Sequence, residues 1–309
     1  MGRQELGRRF CRSGGMCSMN RLVTFWEAVS DLPHRLHYVD VGPWRTRVLD
    51  LGEGDRVVVL ANGTSGHIEA WTQNVRALVQ AGYRVIGYDY PGHGYTTLTD
   101  HDLEIPEYES HLLGLLDVLN LKRVHLAGES LGGWVAVKFA AHHSNRLLSV
   151  ILSAPGGRVV GEQKVDKAQS VSKQAVTEPT FENVKKRLQV VIHDPQKITE
   201  ELVRVRQAIY SRDPSGTNMA HISVLRQPEQ RWRNRVTDQD FAAIPVPALF
   251  VWTDHEPTGD ASEGRRLAAL IPQGEFLLVE GSAHWPQWEG AEVFNAAAIS
   301  FLDKQHRQS

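Results

Sequence analysis

The chain has 309 residues and a formal net charge of −2, with 41% hydrophobic and 23% charged residues. These values are ordinary for a soluble globular protein with one large domain, or with a core and a smaller unit. They give no reason to expect nucleic acid or a membrane surface as a partner, and no apolar run approaches the roughly 18 residues of a membrane-spanning helix.

The N-terminal segment contains the only two cysteines, Cys11 and Cys17. Two cysteines form no disulfide framework, which fits a reducing compartment, so we expect a cytoplasmic protein. The first twenty residues are rich in arginine and glycine and include an arginine pair. Because no apolar stretch follows that pair, as an export signal would require, we interpret residues 1–30 as an extension that is disordered in part.

Short β-rich segments alternate with amphipathic helical patterns along most of the chain, and this alternation predicts an α/β fold. It indicates a mainly parallel sheet with helices on both faces. The predicted strands are 36–41, 45–51, 56–61, 84–88, 124–127, 148–153, 248–252 and 275–279. The predicted helices are 67–81, 105–119, 134–142, 262–270 and 291–301.

The strand pattern is interrupted after the sixth strand. From 162 to about 226 the chain is charged and helical, most clearly at 180–191 and 199–210. The simplest interpretation is a helical cap inserted into the α/β core, so that one sheet is built from two separate stretches of chain. We therefore predict three further units: a first core segment at 31–157, the helical cap at 158–226, and a second core segment at 227–309.

Ser130 carries the strongest chemical signal. It lies in the segment Gly-Glu-Ser-Leu-Gly-Gly, after an apolar strand and before a helical pattern. This is the pattern of a nucleophile elbow, a sharp turn that presents a serine hydroxyl above the sheet. The flanking Gly128 and Gly132 fit the close approach of strand and helix backbones there. Taken alone, the string is equally compatible with an ordinary turn or a helix N-cap.

A serine nucleophile needs a base, and the base needs an acid that orients it. In this architecture the chain order is serine, acid, histidine. We predict His284, in the loop after the last strand, as the base and Glu256, after the seventh strand, as the acid. Asp254 and Asp260 lie in the same loop as Glu256 and are the alternatives. Any of these carboxylates can also be merely solvated.

The oxyanion of a tetrahedral intermediate requires fixed N–H donors. We predict the backbone N–H of Leu131, at the start of the elbow helix, and that of Thr64, in the loop 62–66 after the third strand. The alternative for this loop is an ordinary glycine-rich turn.

With these segments in place, residues 36 to 303 resemble the α/β-hydrolases. Within them the chain is most similar to the meta-cleavage-product hydrolases, which cleave carbon–carbon bonds in vinylogous diketones formed by aromatic ring fission. The segment 284–289, His-Trp-Pro-Gln-Trp-Glu, resembles that family's His-Trp-x-Gln-Trp-Glu segment, and 198–202 resembles its second cap helix. The resemblance implies that Arg206 and Trp285 hold the dienoate carboxylate of the substrate.

This chain departs from the family at four places. The family usually has aspartate at Glu256, histidine at Asn62, glycine at Thr64 and asparagine at Glu129. The carboxylate of Glu129 adds a charge beside the nucleophile, and a charge there raises the pKa of a neighbouring histidine.

The resemblance implies a serine hydrolase that cleaves a 2-hydroxy-6-oxo-dienoate with no metal and no organic cofactor. Its partner is then a small-molecule substrate, and a homo-oligomer is open. The first alternative is a carboxylesterase or lactonase with the same triad, for which Arg206→Ala would have little effect. The second is a non-catalytic receptor or scaffold of the same fold.

Overall fold

The computed structural model describes residues 22–158 and 165–307. Both cysteines and most of the predicted N-terminal extension lie outside these residues. The described end of that extension contains the helix α1 (Phe25–Val29), whose buried Ala28 and Val29 pack in one of the apolar cores. Thr24 caps this helix through a reciprocal hydrogen-bond pair with Glu27.

Eight strands form one sheet in the order β1-β2-β4-β3-β5-β6-β7-β8. Antiparallel pairs join β1 to β2 and β2 to β4, and the other pairs are parallel. The strands are β1 His34–Val41, β2 Trp44–Leu51, β3 Val57–Ala61, β4 Arg84–Tyr88, β5 Val124–Glu129, β6 Leu147–Ser153, β7 Ala248–Thr253 and β8 Gly274–Val279. This arrangement confirms the predicted fold class.

The α-helices of the described residues follow α1 in chain order. They are α2 Thr72–Gln80, α3 Ile105–Val118, α4 Leu131–His142, α5 Val165–Thr177, α6 Phe181–Leu188, α7 Glu200–Tyr210, α8 Thr217–Ile222, α9 Pro228–Asn234, α10 Asp238–Ala242, α11 Ala261–Leu270, α12 Pro286–Glu289 and α13 Ala291–His306. Short 3₁₀ turns occur at Ile68–Trp71, Ser144–Arg146, Pro195–Lys197 and Val224–Arg226.

Two apolar cores cover the two faces of the sheet. Because successive side chains of a strand point to opposite faces, Val57 and Val59 pack against α3, α4 and α11, whereas Val58 and Leu60 pack against α1, α2 and α13. The central strands are therefore apolar on both faces, which explains why they appear in the sequence as continuous apolar runs.

The chain from β6 to β7 contains no strand among its described residues. Helices α5 to α7 form a third apolar cluster, which also includes Trp285 from the loop after β8 and Trp288 of α12. This helical layer fits the predicted cap, and the domain boundaries remain a prediction. None of the helices in the described residues is long and apolar enough to cross a membrane.

Several elements differ from their predicted bounds. The last helix, predicted at 291–301, continues to His306, and the helix predicted at 180–191 ends at Leu188. The helix predicted at 67–81 begins as the 3₁₀ turn Ile68–Trp71 and becomes α-helical at Thr72. The fifth strand continues two residues beyond the predicted end at Ala127, because Gly128 and Glu129 stay paired with β6. Glu129 is therefore a buried strand residue at the foot of the elbow.

Candidate active site

Ser130 occupies the sharp turn between β5 and α4, with φ 52° and ψ −108°. A non-glycine residue rarely adopts a positive φ, so the surrounding structure must stabilise this backbone. The Ser130 N–H donates to the Ser153 carbonyl at 3.0 Å, and the Gly156 N–H donates to the Ser130 carbonyl at 2.8 Å. The turn is thus held by the last residue of β6 and by the chain that follows it.

The glycines beside Ser130 are required by space. A Cβ atom on Gly128 would overlap the carbonyl of Gly132, and one on Gly132 would overlap the carbonyl of Ala61 in β3. Both obstacles are backbone atoms, which cannot move aside without shifting the strand or the helix. This geometry agrees with the expectation of small residues on both sides of the elbow.

A hydrogen-bonded chain connects Ser130, His284 and Glu256. The Ser130 Oγ lies 2.8 Å from His284 Nε2, and the Glu256 carboxylate oxygens lie 2.9 and 3.1 Å from His284 Nδ1. The three residues follow β5, β8 and β7. Because these strands are parallel, their carboxyl ends share one edge of the sheet, where open α/β sheets bind ligands.

The three carboxylates of the loop after β7 have different hydrogen-bond partners in the structure. Asp254 accepts hydrogen bonds from the backbone N–H groups of Gly281 and Ser282, and so fastens the loop that carries His284. Asp260 caps the N-terminus of α11. Glu256 alone among the three faces His284 Nδ1, and Thr258 donates to it through its hydroxyl at 2.7 Å.

Glu289 fixes the backbone on the other side of His284. Its carboxylate accepts from the N–H groups of Ala283 at 2.7 Å and of His193 at 2.7 Å. The His284 N–H in turn donates to the carbonyl of Val191 at 3.0 Å. The histidine loop is therefore tied to the helical layer as well as to the sheet, and movement of that layer would move the imidazole.

Glu129 is buried next to the same imidazole, with an exposed fraction of 1%. One carboxylate oxygen lies 3.6 Å from His284 Nε2 and, among the described residues, has no hydrogen-bond partner. Burial raises the pKa of Glu129 to about 7, and the positive charges of His284 and Arg206 limit the rise. This carboxyl group therefore changes charge near neutral pH.

The pKa of His284 is raised to about 9. Burial by itself disfavours the imidazolium, but the attraction and hydrogen bond of Glu256, together with the charge of Glu129, outweigh that effect. Glu256 itself stays ionised: burial opposes its charge, but His284 and Thr258 hold its pKa below the usual range. The arrangement can accept a proton from Ser130 and stabilise the cation that results.

The two predicted oxyanion donors border one cavity with Ser130. Leu131 is the first residue of α4, and Thr64 lies in the turn after β3. Neither backbone N–H donates to another described residue. The Asn62 amide donates to the Tyr88 carbonyl at 2.8 Å and so anchors this turn to β4. Two free N–H groups beside a serine hydroxyl can bind an oxyanion.

A cavity of about 380 Å³ opens above Ser130, and most of its wall is apolar. Arg206 and Trp285 line it together with Ser130 and His284. Arg206 is 1% exposed, and its Nη1 donates to the Tyr210 hydroxyl at 3.2 Å. Its guanidinium carbon lies 5.3 Å from the centroid of the Trp285 ring. Among the described residues, its Nε and Nη2 atoms have no partner. The structure thus brings every predicted site residue to one place.

Three further arginines line the cavity, and sequence reasoning missed them: Arg187, Arg226 and Arg231. Arg187 lies in a charged run of α6, which resembles a solvated helix face. Its spacing of four from Asn183 and three from Val184, both buried in α6, is the signal that places it on the buried face.

Comparison with known proteins gives a family and several relatives. Residues 56–291 match the family model described as alpha/beta hydrolase fold. The chain is 30% identical over 259 residues to a 2-hydroxy-6-oxo-6-phenylhexa-2,4-dienoate hydrolase of Comamonas testosteroni, covering 82% of this chain and 89% of the relative. It is 32% identical over 294 residues to a 2-hydroxy-6-oxononadienedioate/2-hydroxy-6-oxononatrienedioate hydrolase of Pseudomonas putida, covering 92% and 96%.

Among solved structures, the chain resembles a meta-cleavage product hydrolase from Pseudomonas fluorescens IP01. The two superimpose with a TM-score of 0.74 at 25% identity, and the match covers 86% of this chain and 97% of that one.

Proposed function

The chain belongs to the α/β-hydrolase fold family, and from this premise we propose that it is a serine hydrolase cleaving a carbon–carbon bond in a 2-hydroxy-6-oxo-hexa-2,4-dienoate-type ring-fission product. Ser130 is the nucleophile, His284 the general base and Glu256 the acid that orients it. The Leu131 and Thr64 N–H groups form the oxyanion hole, and Arg206 with Trp285 binds the dienoate carboxylate.

One observation carries the choice of substrate: a buried guanidinium without an anionic partner in the same cavity as the serine. Arg206 keeps two nitrogen atoms free among the described residues. Burial of an unpaired charge is costly, so a site of this kind is completed by an anion. A planar guanidinium binds a carboxylate through two parallel hydrogen bonds, and the Trp285 ring covers one side.

The reaction begins with ketonisation of the bound dienol. The 2-hydroxyl proton is lost and C5 gains a proton, which converts the substrate to a 2,6-dioxo-enoate. Arg206 holds the C1 carboxylate during this step, so that the 6-oxo carbon lies against Ser130. Placing both ends of a reaction in one fixed geometry lowers the entropic part of the barrier.

Carbon–carbon cleavage follows nucleophilic attack. His284 takes the Ser130 proton while Oγ bonds to C6, and the oxyanion accepts hydrogen bonds from the Leu131 and Thr64 N–H groups. The C5–C6 bond then breaks, and its electron pair moves through the enone to the oxygen on C2. That oxygen receives the proton that His284 took from Ser130, giving 2-hydroxypenta-2,4-dienoate and a neutral imidazole, and C6 stays on Ser130 as an ester.

Water completes the cycle. His284 removes a proton from a water molecule, whose oxygen attacks the ester carbon, and the second carboxylic acid leaves as Ser130 regains its proton. Overall, one water molecule is consumed and two acids are released. The proton transfers to and from Ser130 and water use the same imidazole, and the hydrogen bond between Glu256 and Nδ1 favours the tautomer in which Nε2 accepts the proton.

A carboxylesterase or lactonase would use the same serine chemistry, so substrate turnover must decide between them. Bleaching of the yellow dienoate should be followed for a panel of ring-fission products, with simple esters run in parallel. We expect kcat/KM for at least one dienoate to exceed that for the esters. Failure to bleach any dienoate would refute the proposal and favour the esterase.

The same assay tests the role of Arg206, by comparing dienoate turnover with ester turnover in a variant of this residue. Arg206→Met should raise KM for the dienoate about 10- to 100-fold, because a charge-assisted pair is lost, and leave ester turnover within about threefold. Arg204→Met is the control, since Arg204 is exposed on the same helix and pairs with Glu200. Equal losses for dienoate and ester would contradict carboxylate binding.

Fluorophosphonate labelling tests the nucleophile. The wild-type protein should label and Ser130→Ala should not, while Ser110→Ala, which removes an exposed hydroxyl of α3, should label normally. A protein that does not label would match the receptor alternative. Equal labelling of Ser130→Ala would show that the nucleophile is elsewhere.

A further inference from the structure

The cavity carries more positive charge than one substrate carboxylate would require. Four arginines line it, and Arg206 is the one assigned to the dienoate carboxylate. Arg231 has its own partner, the Arg158 carbonyl, to which its Nε donates at 3.0 Å. Arg187 and Arg226 therefore remain without an assigned role.

Arg187 is the more deeply placed of these two. Its exposed fraction is 7%, and its Nε and Nη1 atoms have no hydrogen-bond partner within the described ranges. Burial lowers the pKa of Arg187 to about 10, and repulsion from Arg226 and Arg206 adds to this effect. The guanidinium still carries its charge at neutral pH.

The negative charge that faces these cations is small. Among the described residues that line the cavity, the acidic one is Glu129, whose pKa of about 7 leaves it only partly ionised at neutral pH. The Tyr210 hydroxyl also attracts Arg187, but Arg206 occupies it through a hydrogen bond. Like charges buried together without partners are unfavourable, so a second anion would stabilise this arrangement.

We propose that Arg187, assisted by Arg226, binds a second carboxylate of the substrate, so that this protein prefers a dioic acid to a substrate with an uncharged group on C6. The inference rests on the proposed function. Carbons 1 to 6 of the dienoate carry one carboxylate, which Arg206 binds. A second acid group must therefore belong to the substituent on C6, and the fragment released from Ser130 is a dicarboxylic acid.

The names of the relatives do not decide between an uncharged and an acidic substituent on C6, and the arginines of the cavity favour the acidic one. One relative is named for a phenyl group on C6 and another for a dioate. A phenyl group would fill the apolar part of the wall but would leave the two unassigned guanidinium groups of the cavity without an anion. A guanidinium fork binds a carboxylate through two hydrogen bonds, which gives both affinity and orientation.

The wild-type protein provides the first test. Its kcat/KM should be measured for 2-hydroxy-6-oxononadienedioate, for the ester of the same molecule in which the distal carboxylate is methylated, and for the analogue with a methyl group on C6. The dioate should be preferred to the half-ester by about 10- to 100-fold, because the two differ in charge and little in shape. A half-ester turned over as well as the dioate would overturn the inference.

The variant Arg187→Met tests the residue. We expect kcat/KM for the dioate to fall about 10- to 100-fold, mainly through KM, and kcat/KM for the C6-methyl analogue to stay the same or rise. Arg187→Lys should recover some of the loss, and Arg204→Met on the outer face of the cap should match wild type. Equal losses with both substrates would mean that Arg187 only supports the cap, which overturns its binding role.

The outcomes separate this inference from the function on which it rests. If no dienoate of any kind is bleached, the carbon–carbon hydrolase proposal fails and the inference fails with it. If the C6-methyl analogue is bleached as fast as the dioate, the hydrolase proposal stands and the second carboxylate site is refuted. The substrate series on wild-type protein decides this even where Arg187→Met does not fold.

Discussion

The Nε2 atom of His284 lies 3.6 Å from a carboxylate oxygen of Glu129, the residue that immediately precedes the proposed nucleophile. Glu256 contacts the opposite nitrogen of the same ring at 2.9 Å. One imidazole is therefore placed between two buried carboxyl groups, and both favour its protonated form. In the proposed mechanism His284 must nevertheless be neutral to accept the proton of Ser130, so we expect Glu129 to affect the pH dependence of the reaction.

Glu129→Gln should shift the pH profile of kcat/KM to lower pH. Removing a negative charge disfavours the imidazolium, so the pKa of His284, which is about 9, falls. The neutral base is then present at lower pH, and the acid limb of the profile moves down by about one unit. The limb is measured with the best dienoate substrate between pH 5 and 10.

Glu53→Gln is the control for this shift, since Glu53 is exposed in the loop between β2 and β3, at the opposite end of the parallel strands. Its profile should coincide with that of wild type. An acid limb that stays in place in Glu129→Gln, or moves to higher pH, would show that Glu129 does not control the charge of His284.

Two substitutions of Glu256 should distinguish the effect of its negative charge from the effect of its side-chain length. Glu256→Gln removes the charge that stabilises the imidazolium and disturbs its tautomer, so kcat should fall at least about 10³-fold. Glu256→Asp keeps the charge on a shorter side chain and should retain much more activity. Steady-state turnover and fluorophosphonate labelling rates report both effects.

Asp254→Asn distinguishes this role from support of the loop. Asp254 binds the N–H groups of Gly281 and Ser282 rather than the imidazole. Asp254→Asn should therefore lower the melting temperature, and its kcat should fall far less than that of Glu256→Gln. If Asp254→Asn lost as much activity as Glu256→Gln, the assignment of Glu256 as the acid would be contradicted.

Gly132→Ala should destabilise the protein more than an alanine at a turn glycine. Its Cβ would overlap the Ala61 carbonyl, and overpacking against fixed backbone costs about 3 kcal/mol of the free energy of unfolding. Gly42→Ala is the matched control, because Gly42 has φ +56° but open space around its Cβ, and should cost about 1 kcal/mol. Equal losses in urea unfolding would contradict the close packing of the elbow.

The sequence predicts those features of this protein that follow from local pattern. Buried strands are continuous apolar runs, and the glycine spacing around Ser130 reflects a steric need, so the fold and the elbow are predictable. Glu256 is placed by its distance from a strand end. The pattern alone leaves Asp254 as an alternative, because the choice depends on which atoms of the loop after β8 each carboxylate faces in three dimensions.

The residues that were missed are those whose roles depend on tertiary contacts. Arg187 follows two lysines in α6 and differs from them only by facing the cavity. Glu289 belongs to the segment that resembles the family, but its hold on the Ala283 and His193 N–H groups joins residues far apart in the chain. Helical spacing gives a signal for Arg187, and no local signal exists for the contacts of Glu289.

Carbon–carbon bond hydrolysis is tested most directly by the products of a single reaction in water enriched with oxygen-18. Wild-type protein and a 6-substituted 2-hydroxy-6-oxo-dienoate should give 2-hydroxypenta-2,4-dienoate and a second acid, and mass spectrometry should find one oxygen-18 atom in the second acid. Ser130→Ala should give neither product. An unchanged dienoate, under conditions in which the same preparation hydrolyses esters, would contradict carbon–carbon bond hydrolysis by this protein.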